Sequence, residues 1–189
     1  MNIKKRAVFL DRDGVINDTV DRGEDFCVFG KKVRWTAPFN YSEFKIKDGV
    51  TDALKDIRAA GWLLILVTNQ PDVTYGFLST EEHERIMADT KALPFDDIYV
   101  CKHGRNDNCD CKKPKPGMLL SAAEKWDIDL SASVMVGDTE SDMGAAKAAG
   151  CSFILIDDQY NKNLSVNIRA KSLMEAAEKI KEPLINIVP

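Results

Sequence analysis

Short apolar runs alternate with amphipathic segments along most of this 189-residue chain, and that alternation limits how it can fold. The apolar runs, which indicate buried strands, lie at residues 7–11, 62–67, 97–101, 133–136 and 152–156. The segments with helical spacing lie at residues 48–60, 80–93, 116–126, 139–149 and 172–180. Strands that alternate with helices form a parallel sheet covered on both faces. We therefore predict a single domain over residues 1–189, with an α/β fold built on a three-layer, doubly wound parallel sheet.

The composition and charge are those of an ordinary globular protein. Hydrophobic residues make up 44% of the chain and charged residues 30%. The formal net charge of −4 argues against nucleic acid or an acidic membrane as the main partner. No apolar run approaches the roughly 18 residues that span a bilayer, and the run at 7–10 is too short for a secretory signal. We expect a cytoplasmic monomer that binds neither nucleic acid nor membranes.

Polar residues follow four of the predicted strands at the point where each one ends. They are Asp11 and Asp13, then Thr68, Asn69 and Gln70, then Lys112 and Lys113, and finally Gly137, Asp138 and Asp142. Turn chemistry would explain any one of these groups, but it explains poorly a set that mixes acids, a hydroxyl, an amide and paired lysines. Ligands of parallel sheets bind at the carboxyl ends of the strands. We therefore expect these side chains to form one site.

The chemistry of this set favours phosphoryl transfer. Asp11, Asp13 and Asp138 would bring several negative charges together, and such a group needs a cation between its members. Mg²⁺ is the natural cation, because it prefers carboxylate oxygens and also binds substrate phosphate. Lys113 adds a fixed positive charge, and Thr68 adds a hydroxyl that can bind phosphate. Asp11 could then act as the nucleophile and form an aspartyl-phosphate that water later cleaves.

A second group of potential ligands lies just before Lys113. Three of the five cysteines and one of the two histidines fall within eleven residues: Cys101, His103, Cys109 and Cys111. Three thiolates and one imidazole make the closed tetrahedral set of a structural zinc site, whereas an odd cysteine count argues against a disulfide framework. Our hypothesis is that zinc in the loop 101–111 positions Lys113 on the phosphate and Lys112 on the rest of the substrate.

Residues 18–44 show no clear periodicity, and we interpret them as an insertion that forms a substrate loop. A loop of this length is usually functional or disordered, and its many aromatic residues favour an ordered one. We expect Asn17 to lie near the site. Arg22, Lys31 and Arg34 are weaker candidates for phosphate contacts.

The segments 11–17, 67–70, 113–114 and 137–142 resemble, in order and spacing, the four motifs of the haloacid dehalogenase superfamily. That resemblance implies a Rossmann-like phosphatase fold, here with no large cap domain. It implies Asp11 as nucleophile and Mg²⁺ ligand, and Asp13 as general acid and base with its main-chain carbonyl on the metal. It also implies that Thr68 and Lys113 bind the transferring phosphate, that Asp138 is a Mg²⁺ ligand, and that Asp142 lies beside the metal ligands.

The zinc loop and the residues after it, 101–118, resemble those of the D-glycero-D-manno-heptose 1,7-bisphosphate 7-phosphatases. Those enzymes remove the 7-phosphate of a sugar used for surface polysaccharides, and histidinol-phosphate phosphatases carry a related loop. The resemblance implies a small phosphorylated sugar as substrate, with Asn17, Asn69, Gln70 and Lys112 as contacts. Lys112 stands where these enzymes usually have arginine, and the loop 18–44 is longer than theirs. The substrate and its anomer therefore stay open.

Two alternatives remain at this stage. One is a histidinol-phosphate phosphatase or another small sugar-phosphate phosphatase, and the other is an inactive binding protein stabilised by zinc.

Further expectations concern helix starts and burial. We expect Asp48 and Thr80 to cap the first two helices, and His83 to lie on a solvated face. We expect Cys27 to be buried. Cys151, Trp62 and Trp126 are also expected in the core.

Overall fold

The computed structural model describes residues 4–181, and its centre is a six-stranded parallel sheet. The strands are β1 (Ala7–Leu10), β2 (Val20–Asp21), β3 (Cys27–Val28), β4 (Lys31–Lys32), β5 (Trp35–Thr36), β6 (Leu63–Asn69), β7 (Asp97–Cys101), β8 (Val134–Gly137), β9 (Ser152–Ile156) and β10 (Arg169–Ala170). The helices are α1 (Val50–Ala59), α2 (Asp72–Tyr75), α3 (Thr80–Lys91), α4 (Gly117–Trp126), α5 (Glu140–Ala149) and α6 (Leu173–Lys181). The strand order across the main sheet is β10-β9-β8-β1-β6-β7, and every neighbouring pair is parallel. The predicted doubly wound α/β fold is confirmed.

Two apolar cores cover the two faces of this sheet. Val8 and Leu10 point into the core that includes α1 and α6, while Ala7 and Phe9 point into the core that includes α4 and α5. Successive side chains of a strand point to opposite faces, so a strand buried on both faces is apolar throughout. This is why the predicted strands are continuous apolar runs.

The predicted elements are found with small shifts at their ends, and two expected caps are wrong. Helix α1 begins after Gly49, which has a φ of 79° and makes no side-chain cap, so Asp48 does not cap it. Helix α3 is capped by Ser79, whose hydroxyl accepts from the amide of Glu82, and Thr80 is already helical. The short elements α2 and β10 were not predicted. No helix within residues 4–181 is long and apolar enough to cross a membrane.

The insertion at residues 18–44 is ordered, as its aromatic residues predicted. Strand β2 pairs with β5 and β3 pairs with β4, both antiparallel. Phe39 stacks on Phe77 of the neighbouring segment at 5.0 Å between ring centroids, and the Tyr41 hydroxyl donates to Asp89 on α3 at 2.6 Å. Arg22 pairs with both carboxylate oxygens of Glu43, so it braces this loop instead of facing a phosphate.

Two expectations about burial are wrong. His83 is only 2% exposed, because it lies on the face of α3 that also buries Ile86, Met87 and Thr90; this spacing of three, four and seven residues was visible in the sequence. Cys27 lies on β3 and is exposed. The expected burial of Cys151 and Trp62 is confirmed, and Trp126 packs against the core while half-buried.

Candidate active site

Three neighbouring strands end at the same edge of the sheet. The register pairs Leu10 of β1 with Leu66 on one side and with Val136 on the other. The residues just beyond these pairs include Asp11, Thr68 and Asp138, and all three are buried. The structure thus brings together side chains that are widely separated in the sequence, at the edge where parallel sheets bind ligands.

Lys113 reaches this edge from the loop before α4. Its Nζ lies 2.8 Å from Asp11 Oδ1 and 2.6 Å from Asp142 Oδ1, and it donates to the carbonyl of Val67 at 2.9 Å. The side chain is almost fully buried. Because these three acceptors replace water around the ammonium group, Lys113 is fixed between Asp11 and the first turn of α5.

The buried charges at this edge are unbalanced, since three carboxylates face one ammonium. Burial, followed by the charge of Asp142, raises the pKa of Asp11 to about 7. The same two causes raise the pKa of Asp138 well above its ordinary value. Burial alone would lower the pKa of Lys113, but Asp11 and Asp142 outweigh it and raise that pKa. A divalent cation would remove the repulsion and keep both Asp11 and Asp138 ionised.

The carboxylates offer donors of the kind that a hard divalent cation takes. Oxygens of Asp11, Asp138 and Asp142 lie within 4.8 Å of one another. Asp138 Oδ1 is buried without a hydrogen-bond partner, which suits a metal ligand. Asp142 is already engaged, because one oxygen faces Lys113 and the other accepts from the hydroxyl and amide of Thr139 in a capping box. Mg²⁺ therefore fits best between Asp11 and Asp138, with Asp142 beside it.

The carboxylate of Asp13 is held by three neighbours. Arg12 Nη2 lies 2.9 and 3.0 Å from its two oxygens, and the amide nitrogens of Asn17 and Gln70 donate to it at 3.0 and 2.6 Å. Both amide side chains are fully buried. They therefore orient Asp13, and the expected contact of Asn17 and Gln70 with the substrate stays a prediction.

The main chain around Asp13 leaves one carbonyl available. The backbone hydrogen bonds of this turn converge on the carbonyls of Arg12 and Asn17. The Asp13 carbonyl accepts none of them, so it could serve as a metal ligand, as the family resemblance implies.

Asn69 and Thr68 differ in what they contact. The side chain of Asn69 donates to the Lys113 carbonyl and accepts from the Lys113 amide, both at 3.1 Å. Asn69 thus holds the main chain of Lys113 in place, and its expected contact with the substrate stays a prediction. Thr68 Oγ1 accepts from Gln70 at 3.1 Å, which leaves its hydroxyl hydrogen for a phosphate oxygen.

The Cys/His cluster has the dimensions of a tetrahedral metal site. Cys101 Sγ lies 3.9 Å from Cys109 Sγ and 3.6 Å from His103 Nδ1, which in turn lies 3.2 Å from Cys111 Sγ. All four ligand atoms lie within 4.8 Å of one another. A zinc tetrahedron with Zn–S of about 2.3 Å and Zn–N of about 2.0 Å has edges of roughly 3.5 to 3.8 Å. The four side chains therefore fit zinc as a closed set.

The zinc loop positions Lys112 more directly than Lys113. Lys112 Nζ donates to the main-chain carbonyl of His103 at 2.9 Å and lies 5.8 Å from the centre of the Tyr75 ring. Lys113 is instead held by Asn69 and by the buried carboxylates. The loop also packs tightly on α4, because a Cβ on Gly117 would lie 2.3 Å from the Asp110 carbonyl.

Two residues of this site were not predicted. Arg12 is fully buried and binds Asp13; its place between two aspartates at a strand end was a usable signal, because a buried arginine requires an acidic partner. Tyr160 donates a hydrogen bond to Asp138 Oδ2. It lies in an irregular segment far along the chain, and nothing in the sequence pointed to it.

Fold and site together define a class, that of phosphoryl-transferring hydrolases with a buried carboxylate–lysine site. The chain matches the haloacid dehalogenase-like hydrolase family over residues 5–150, and it belongs to that family. The family resemblance seen in the four motifs is thereby confirmed, and so is the expectation that the protein is a phosphatase.

Several curated relatives share one name. D-glycero-beta-D-manno-heptose-1,7-bisphosphate 7-phosphatase of Vibrio cholerae is 41% identical in an alignment of 160 residues that covers 77% of this chain and 77% of the relative. The enzyme of that name from Helicobacter pylori J99 is 35% identical over 184 residues, covering 93% of this chain and 97% of the relative. Among solved structures, D,D-heptose 1,7-bisphosphate phosphatase from B. bronchiseptica, complexed with magnesium and phosphate, superposes with a TM-score of 0.76. It is 28% identical and covers 93% of this chain and 97% of that one.

Proposed function

We propose that this protein hydrolyses the 7-phosphate of D-glycero-β-D-manno-heptose 1,7-bisphosphate, using Mg²⁺ and an aspartyl-phosphate intermediate. The observation that carries the proposal is the buried group of Asp11, Lys113 and Asp138 at the carboxyl edge of the sheet. The names of the relatives supply the sugar and its anomer, and their coverage of this chain is extensive.

The chain's own residues account for both chemical steps. In the first, Asp11 attacks phosphorus while the bond to the sugar oxygen breaks, and Asp13 gives its proton to the departing alkoxide. In the second, Asp13 takes a proton from water, which attacks phosphorus and releases Asp11 and inorganic phosphate. Arg12 and Gln70 fix the carboxylate of Asp13 in place for this exchange.

Residues at and near the ends of the neighbouring strands would bind the phosphate. Lys113 would neutralise the equatorial oxygens and Thr68 would donate its hydroxyl to one of them. Asp11, Asp138 and the Asp13 carbonyl would hold Mg²⁺, which supplies further neutralisation of the charge on the phosphoryl group. With the metal bound, Asp11 is ionised at neutral pH and therefore competent as a nucleophile.

We infer that Cys101, His103, Cys109 and Cys111 hold structural zinc. Four protein ligands leave no position for substrate, and the loop they close carries Lys112. Because Lys112 lies between the zinc loop and Tyr75, it is our candidate for contact with the non-reacting part of the sugar phosphate. The cytoplasmic location, the monomeric state and the absence of nucleic-acid and membrane partners stay predictions.

The test is a steady-state comparison of substrates with Mg²⁺ present. We expect the β anomer of the heptose bisphosphate to have the highest kcat/KM, ahead of the α anomer and of histidinol phosphate. A preference for histidinol phosphate would refute the proposed substrate while leaving the phosphatase assignment intact. No turnover of any phosphate ester by the metal-loaded protein would instead favour the inactive binding protein.

A further inference from the structure

Tyr160 lies where the metal site meets the substrate loop, outside all four sequence motifs. It belongs to the irregular segment between β9 and β10, and its hydroxyl donates to Asp138 Oδ2. The hydrogen bond joins this segment to the residue that follows β8, 22 positions earlier in the sequence.

The two oxygens of the Asp138 carboxylate have different surroundings. Oδ2 accepts from Tyr160, whereas Oδ1 is buried without a hydrogen-bond partner and is therefore available to a metal ion. The next residue, Asn161, donates to the main-chain carbonyl of Asp138 at 2.8 Å and is 2% exposed. Two consecutive residues thus fix both the backbone and the side chain of one metal-ligand candidate.

Gly14, in the turn after the nucleophile, packs directly on this pair. A Cβ at Gly14 would lie 2.0 Å from Asp138 Oδ2 and 2.8 Å from the Tyr160 oxygen, and its φ of +84° also favours glycine. The hydrogen bond between Tyr160 and Asp138 is therefore enclosed. An enclosed bond restricts the rotation of the carboxylate more than an exposed one does.

The ring of Tyr160 makes a second contact, with the substrate loop. Its centroid lies 5.7 Å from that of Trp35, with the planes tilted by 38°. Trp35 belongs to β5, which pairs with β2 in the loop 18–44. One side chain therefore touches a metal ligand with its hydroxyl and the substrate loop with its ring.

We propose that Tyr160 is a positioning residue that orients Asp138 for the metal and transmits occupancy of the metal site to Trp35. The inference rests on the proposed Mg²⁺ site, although it does not depend on which sugar phosphate is hydrolysed. Partners that orient a metal ligand are typically worth 10–100-fold in metal affinity. The ring contact predicts that tryptophan emission changes when Mg²⁺ binds.

The experiment is a calorimetric and fluorescence titration of the full, zinc-loaded chain with MgCl₂. For Tyr160→Phe, which keeps the ring and removes the hydroxyl, we expect the Mg²⁺ Kd to rise about tenfold or more. The Mg²⁺ concentration for half-maximal activity should rise in parallel, with kcat at saturating Mg²⁺ within a few-fold of the wild type. Tyr99→Phe is the matched control, because the Tyr99 hydroxyl lies against Asp97 on an edge strand; it should leave the Mg²⁺ Kd unchanged.

The loop contact is tested with Trp35→Phe. We expect its calorimetric Kd for Mg²⁺ to stay within about twofold, while the Mg²⁺-dependent change in emission disappears. An unchanged Kd in Tyr160→Phe would overturn the positioning role, and an emission change that persists in Trp35→Phe would overturn the coupling. If the wild type binds no Mg²⁺, the proposed metal site and this inference fail together, whereas a binding wild type with an unaffected Tyr160→Phe refutes this inference alone.

Discussion

Replacing the nucleophile, Asp11→Asn, should abolish turnover and at the same time stabilise the magnesium-free protein. Turnover is lost because the amide cannot form the aspartyl-phosphate. The gain in stability follows from burial, since Asp11 is 8% exposed and faces two further carboxylates. The substitution keeps the size of the side chain and removes one of the mutually repelling charges.

The magnitude follows from the pKa of Asp11, which rises from 3.8 to about 7. At about 1.4 kcal/mol for each pKa unit, the ionised form at pH 8 costs at most about 4 kcal/mol. Part of the relief is lost with the ion pair to Lys113, which retains Asp142 at 2.6 Å. We expect a net gain of about 1–3 kcal/mol, or roughly 3–9 °C in Tm for a chain of this size.

The raised pKa of Asp11 also predicts how the stability of the protein changes with pH. Because folding raises the pKa of Asp11, the protonated Asp11 contributes to the free energy of unfolding. This contribution is complete below pH 3.8 and is lost as the pH rises through about 7. The wild type should therefore lose stability between about pH 4 and pH 7, and Asp11→Asn should lose less. The advantage of the variant at pH 8 should shrink by roughly 2 kcal/mol at pH 5.

The assay is thermal unfolding at pH 5 and pH 8, in magnesium-free buffer without a chelator strong enough to remove zinc. Asp25→Asn is the matched control, since the Asp25 side chain is 97% exposed; it should change stability by no more than about 0.5 kcal/mol. If Asp11→Asn is less stable than the wild type at pH 8, or if the difference is the same at both pH values, the electrostatic account of the site is wrong.

Three further predictions concern the metals and Lys113. The affinity for Mg²⁺ should fall at least about tenfold for each pH unit below about 7, because Asp11 must lose a proton on binding and the raised pKa of Asp138 adds to the effect. Calorimetry between pH 5.5 and pH 8 that shows a constant Kd would contradict this. Removal of zinc by a chelator should cost activity before it unfolds the sheet, with KM rising more than kcat falls because Lys112 depends on the loop more than Lys113 does. Cys109→Ser should have the same effect as zinc removal, whereas Cys27→Ser, at an exposed position, should have none. If activity and the circular-dichroism signal are lost together as zinc is removed, this prediction is wrong. Asn69→Ala should lower kcat about tenfold or more and should lower the free energy of unfolding by about 1–3 kcal/mol, because it leaves the main-chain groups of Lys113 without hydrogen-bond partners. Steady-state kinetics measures the first effect and urea denaturation the second. An unchanged kcat would show that the carboxylates alone position Lys113.

The sequence by itself determined the sheet, its parallel strands and the edge at which the site lies. Runs such as 63–67 are apolar throughout because their strands are buried on both faces, so their alternation with helical segments indicates a parallel sheet. The acids and the hydroxyl of the site were also predictable, because they lie close to the ends of strands, and Lys113 was predictable because it follows the cysteine–histidine loop after β7. The candidate zinc ligands were predictable because four donors lie close together along the chain.

Only the tertiary structure decided which polar side chains at this edge hold other side chains in place. Asn17, Asn69 and Gln70 have the residue types and positions of substrate contacts, yet their amides bind Asp13 and Lys113. Tyr160 reaches Asp138 across 22 positions of sequence, from a segment without periodicity. A hydrogen bond depends on distances within about 3 Å and on direction, and these are set by how the chain packs. Residue type and spacing specify which groups gather at the edge of the sheet, but they leave the pairing among those groups undetermined.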